Sequence, residues 1–120
     1  MKRSSSLVIL ACAVVLPALA LAHAHLQQST PANGSTVTAS PDQFVLVFAE
    51  SAVLTALSIQ KQGEADAVKI TPLPSAPGER FSIPAPKLAP GSYTLRYRNL
   101  AVDDNHVSSG AISFTVAAGH

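Results

Sequence analysis

"PGSYTLRYRNLAVDDNHVSSGAISFTV", residues 90–116, decides the fold. In its first half Tyr93, Leu95 and Tyr97 alternate with Thr94, Arg96 and Arg98; in its second, Ile112, Phe114 and Val116 alternate with Ser113 and Thr115. Successive side chains on extended backbone point to opposite faces, so a period of two gives each segment one apolar and one polar face. Two strands are expected, with Arg96 and Arg98 solvating the outward side. Between them lies "VDDNHVSSG", residues 102–110, a polar stretch rich in residue types that turn the chain.

The same period extends through the rest of the chain. Phe44, Leu46 and Phe48 alternate with Val45 and Val47, while Val53, Thr55, Leu57 and Ile59 read as one face. Shorter strands are expected near Val68–Ile70 and Arg80–Ile83. Turn clusters separate them at Pro31–Gly34, Ser40–Asp42, Gly63–Glu64 and Pro90–Gly91. Six prolines between Pro72 and Pro90 place that region at an edge or in a loop, because proline cannot donate to a central ladder. In Leu88-Ala-Pro-Gly-Ser-Tyr93 the tyrosine hydroxyl is expected to tie a strand start back to the backbone at a sandwich corner. No segment carries a helical period. The expected fold is all-β: an immunoglobulin-like, Greek-key antiparallel β-sandwich, small enough to approach a barrel.

The amino-terminal stretch has a different character. Lys2 and Arg3 precede the apolar run Leu7–Leu16, Pro17 breaks it, and Ala18-Leu-Ala-Leu-Ala22 offers small residues for cleavage. This is the pattern of a secretory signal peptide, and the run is shorter than the about 20 apolar residues of a spanning helix. The expected division is therefore a signal peptide over 1–22 and one domain over 23–120, exported without a membrane anchor. Cleavage after Ala20 or Ala24 would also satisfy the small-x-small rule. Lys2, Arg3 and Cys12 would leave together, taking the basic count from eight to six against seven acids. A nearly neutral domain carries no nucleic-acid footprint and no polybasic membrane patch. It also has no cysteine, so it folds without a disulfide.

Four histidines remain to be explained, and two, His23 and His25, stand at the expected new amino terminus. In the polar stretch Asp104 and His106 are one residue apart, so extended backbone would aim both to one side, where a carboxylate oxygen and an imidazole nitrogen could share an ion. Asp103, Asp104 and His106 are equally residues that merely form a turn. Cleavage after Ala22 would give His23 an imidazole and a free α-amine of ordinary pKa about 7.7–8.0, which a metal can deprotonate near neutral pH. Imidazoles, an amine and a carboxylate form an N/O set suited to tetragonal Cu(II), whereas Cu(I) prefers soft sulfur, and residues 23–120 contain neither Cys nor Met. As third residue of that chain, His25 could instead close a local square-planar chelate with the amine and intervening amides. His120 reads as a frayed terminus.

The order His23-Ala-His-Leu26, Ser29-Thr-Pro-Ala32, Phe48-Ala-Glu50, Pro90-Gly-Ser-Tyr93, Asp104-Asn-His106, Gly110 and Phe114-Thr-Val116 resembles the CopC-like periplasmic copper-binding proteins over essentially all of residues 23–120. Val107 stands where proline often follows the histidine, and Tyr97 replaces a common tryptophan. The resemblance implies Cu(II) ligation by His23, Asp104 and His106, with Glu50 close by. It also implies the Cu(II)-only type, since the Met-rich Cu(I) loop of some members is missing. By the same resemblance the protein would sequester or carry copper in the periplasm for copper homeostasis or resistance, without catalysis, and pass it to a CopD-like inner-membrane copper transporter. Two alternatives stand beside this reading. One is an immunoglobulin-like adhesion or assembly module with no specific metal; the other is a copper-dependent oxygenase that uses an amino-terminal histidine. Small size and the lack of Trp weigh against the oxygenase.

Overall fold

In a computed structural model that describes residues 24–118, every regular element is a strand. The segment 1–22, His23 and His120 lie outside the described residues. The strands are β1 (Leu26–Thr30), β2 (Ser35–Val37), β3 (Gln43–Lys61), β4 (Val68–Lys69), β5 (Gly78–Pro84), β6 (Gly91–Ala101) and β7 (Val107–Val116). Among the described residues no helix is long and apolar enough to cross a membrane.

Strand β3 organises both layers. Its first half pairs with β1 and β5, as in Leu46 opposite Ser29 and Phe81, and its second half pairs with β4 and β6, as in Ile59 opposite Val68 and Leu95. From β6 the second layer continues through β7 to β2. One 19-residue strand thus runs from one layer into the other. The layers meet through rings: Phe48 lies 5.3 Å from Tyr97, and Phe44 6.1 Å from Phe114, between centroids. Burying these faces removes the apolar set from water, which is the main favourable term in folding.

Three details differ from the sequence expectation. The segments around Phe44–Phe48 and Val53–Ile59 are one strand, bent where its ladders are irregular. Val53 and Thr55 do not share the inward face with Leu57 and Ile59. The buried series runs Phe44, Leu46, Phe48, Ala52, Leu54, then changes parity to Leu57 and Ile59, because a register irregularity against β6 lies between Leu54 and Ala56. One inserted residue flips every later side chain to the other face. The sandwich is also not wholly antiparallel, since the short β2 joins β7 in parallel. Turn residues 31–34 carry the chain across, with the Gly34 N–H on the Ser113 carbonyl at 2.6 Å and the Ser113 N–H on Asn33 Oδ1 at 2.8 Å.

Three other expectations about the strands hold. Tyr93 Oη donates to the Ala89 carbonyl at 2.6 Å, closing the corner read from the sequence. Strand β5 is an edge strand, paired only with β3, amid the proline-rich segment. Arg96 and Arg98 are exposed, and Arg96 Nη1 donates to Gln60 Oε1 at 3.1 Å.

Candidate metal centre

Strands β6 and β7 are joined by a tight turn at one end of the sandwich, and this turn carries Asp104 and His106. The Ala101 N–H donates to the His106 carbonyl at 2.8 Å, and the Asn105 N–H to the Ala101 carbonyl at 3.1 Å. Asn105 has φ of 55°, the left-handed region that asparagine tolerates better than most residues. Asp104 Oδ1 accepts the His106 N–H at 3.1 Å. The two residues therefore meet in a turn and not on extended backbone, so the period-two argument for their convergence does not apply; the turn supplies the proximity instead. An ionised carboxylate has about four lone-pair sites, so capping the turn leaves Asp104 able to accept further bonds. Both side chains are exposed.

Two other segments reach the same end. The Val102 N–H donates to the Ser51 carbonyl at 3.0 Å, which brings half-buried Glu50, one residue earlier on β3, beside the turn. The Ala49 N–H donates to the His25 carbonyl at 2.9 Å, so the chain before β1 runs along Ala49 and Glu50. Ala24 is fully buried, and its carbonyl accepts Asn99 Nδ2 at 2.9 Å. His25 is exposed at the mouth of β1. The structure thus gathers Ala24, His25, Glu50, Asp104 and His106 at one end, while His23 lies outside the described residues. Among the described residues no three His, Cys, Asp or Glu side chains come close enough to hold a metal ion.

The chemistry of this end suits a cation of borderline hardness. Glu50, Asp103 and Asp104 supply carboxylates, and His25 and His106 supply imidazoles; no thiol or thioether occurs in residues 24–118. A concavity lies elsewhere, along Gln60–Glu64, Ser92–Thr94, Arg96 and Ser113–Thr115. Its nearest lining residue along β6, Arg96, is about 17 Å from Ala101 at about 3.3 Å per residue. An ion bound by surface donors needs no such pocket.

Tyr97 and Asn99, on the inward face of β6, support this end from below. Burial pushes the Tyr97 phenol above its ordinary value of 10.0, and a backbone hydrogen bond from Leu26 pulls partly the other way. That bond ties β6 to the start of β1. Asn99 is fully buried and was missed in the sequence, although a signal was there: it continues the inward series Tyr93, Leu95, Tyr97 as a polar residue on an apolar face.

The family model described as the CopC domain matches residues 26–117. Among solved structures, CopC from Methylosinus trichosporium OB3b is 25% identical, with a TM-score of 0.66, over 82% of this chain and 97% of that one. PcoC, described as a methionine-rich copper resistance protein from Escherichia coli, is 28% identical, with a TM-score of 0.58, over 79% of this chain and 99% of that one. No curated protein gives a significant match.

Proposed function

The chain belongs to the CopC domain family, and on that premise we propose that it carries Cu(II) on His23, Asp104 and His106, with Glu50 alongside. Its function is copper-related and it is not an enzyme. Residues 1–22 are then the leader whose removal frees the His23 amine, the working compartment is the periplasm, and a CopD-like membrane transporter is the recipient. Copper is cargo here, held by donors that also exist without it.

The observation that carries this reading is the bond from Asn99 Nδ2 to the Ala24 carbonyl, 2.9 Å long. It fastens the residue after His23 to the strand that, two residues later, enters the Ala101–His106 turn. The alternative chelate through His25 needs the chain to wrap around the ion through its own amides. It would use the Ala24 and His25 amide nitrogens and leave Asp104 and His106 without a role.

Cu(II) titration of processed protein, with its mass confirming a His23 start, tests the proposal. His106→Ala should weaken binding by more than the roughly 10–100-fold that outer-shell changes cost at metal sites, and should alter the paramagnetic resonance spectrum. Asp104→Ala should do the same to a smaller degree, because tetragonal Cu(II) prefers the nitrogen donor. One residue added before His23 converts the amine to an amide and should hurt as much as His106→Ala. His25→Ala should be mild. Wild-type affinity and spectrum in His106→Ala would overturn the shared site, and weak, nonspecific binding by the unaltered protein would leave the adhesion module.

A further inference from the structure

Asn99 is the one buried polar or charged side chain among the described residues, with 0% of its surface exposed. Its carboxamide is half satisfied. Nδ2 donates to the Ala24 carbonyl at 2.9 Å, while Oδ1, equally buried, has no hydrogen-bond partner. Buried polar groups are nearly always paired, and a half-satisfied amide in a core is worse for stability than an apolar side chain of similar size. Stability alone therefore does not account for asparagine between Tyr97 and Ala101 on the inward face of β6.

We propose that Asn99 is a positioning residue of the copper site. This rests on the shared-site reading above. The bond it makes spans 75 residues of sequence and acts on the amino-terminal segment, where a strand ladder is ending. Beyond Leu26, the His25 carbonyl on Ala49 is the last backbone tie to β3 among the described residues, and Asn99 adds a second anchor from the opposite layer. The same residue pairs across β7 with Ser108, two positions past His106. One side chain thus sets the spacing between the segment that leads to His23 and the turn that holds Asp104 and His106.

The sharing of one ion by two distant parts of the chain depends on such spacing. A donor set held on a free end would bind through the amino-terminal residues alone, with the turn contributing only when the end swings into place. Asn99 removes that search.

The test compares Asn99→Leu, which fills the site with apolar volume, and Asn99→Ala, which cannot overpack it, in processed protein. Both should fold, as read by circular dichroism and a cooperative melt; Asn99→Leu should melt no lower than the unaltered protein. In the apo state the Ala49 amide, whose acceptor is the His25 carbonyl, should exchange at least tenfold faster in both. Cu(II) affinity should fall about tenfold, and the paramagnetic resonance spectrum should move toward that of His106→Ala. A merely structural role would lower the melting temperature and leave that spectrum in place. If both variants keep the wild-type spectrum and affinity while His106→Ala loses them, the shared site stands and Asn99 does not position it. If His106→Ala also keeps them, the shared site falls and this inference falls with it.

Discussion

Gly110→Ala should destabilise the sandwich, although alanine is ordinarily the better residue inside a strand by about 0.5–1 kcal/mol. Gly110 sits on β7 directly opposite Tyr97 on β6. A Cβ built there would lie 2.5 Å from Tyr97 Oη, 2.7 Å from Cζ and 2.9 Å from Cε2. Carbon contacts prefer about 3.5–4.0 Å, so the ring would have to retreat by roughly 1 Å. Its surroundings oppose that: Phe48 packs 5.3 Å from it between centroids, the Leu26 backbone bonds its hydroxyl, and the ring is 8% exposed. Overpacking of this kind costs about 1–3 kcal/mol, which at its centre exceeds the backbone gain and leaves a net loss of about 1 kcal/mol. A domain near 100 residues loses about 4–8 °C of melting temperature per kcal/mol, so calorimetry should register a fall of about 4–8 °C. The cause is tested in a Tyr97→Leu background. There the new methyl meets no ring, and Gly110→Ala should be neutral or slightly stabilising. A single variant that melts at or above the wild-type temperature would refute the argument.

Tyr93→Phe removes the 2.6 Å bond to the Ala89 carbonyl and should cost about 0.5–1.5 kcal/mol, seen as a lower denaturant midpoint with an unchanged slope. At alkaline pH the Tyr97 phenol has a pKa raised by burial, so the unfolded chain ionises first and binds fewer protons than the folded one. Stability should therefore be intact below the ordinary value of 10.0 and decline as pH rises through it toward the raised folded value. Tyr97→Phe should flatten that decline, and an identical alkaline limb in the variant would assign it to other groups. Copper must displace protons from imidazole nitrogens, whose reference pKa is about 6.5, and from an amine near 8. Competition titrations should thus show Cu(II) affinity dropping steeply from about pH 7 to pH 5; a flat profile would exclude histidine ligation.

What residue order determined by itself was everything carried by local periodicity and chemistry. Alternation in Tyr93–Arg98 and Ile112–Val116 placed two strands, prolines marked the β5 edge, and Leu88–Tyr93 announced its corner, because each follows from backbone geometry within a few residues. The candidate ligands Asp104 and His106 were legible as residue types, Glu50 through the family resemblance, and the family through the order of its motifs along the chain. Only the tertiary structure decides which segments lie side by side: the chain before β1, the part of β3 next to Glu50 and the β6–β7 turn. The change of parity between Leu54 and Ala56 depends on β6 lying alongside, since a bulge exists only relative to a partner strand. Parallel pairing of β2 with β7 depends on a turn closed by bonds from residues 33 and 34 to Ser113, about 80 positions away. The turn at 102–110 was legible in its residue types, but not the positive φ of Asn105, which replaces the extended backbone on which Asp104 and His106 would share a side. Asn99 is buried on β6 only because the other layer closes over it, and its partner is the carbonyl of Ala24, 75 residues earlier. A hydrogen bond across that separation has no local signature, for it is the packing of two layers that removes water from the amide and leaves the amino-terminal segment as its partner.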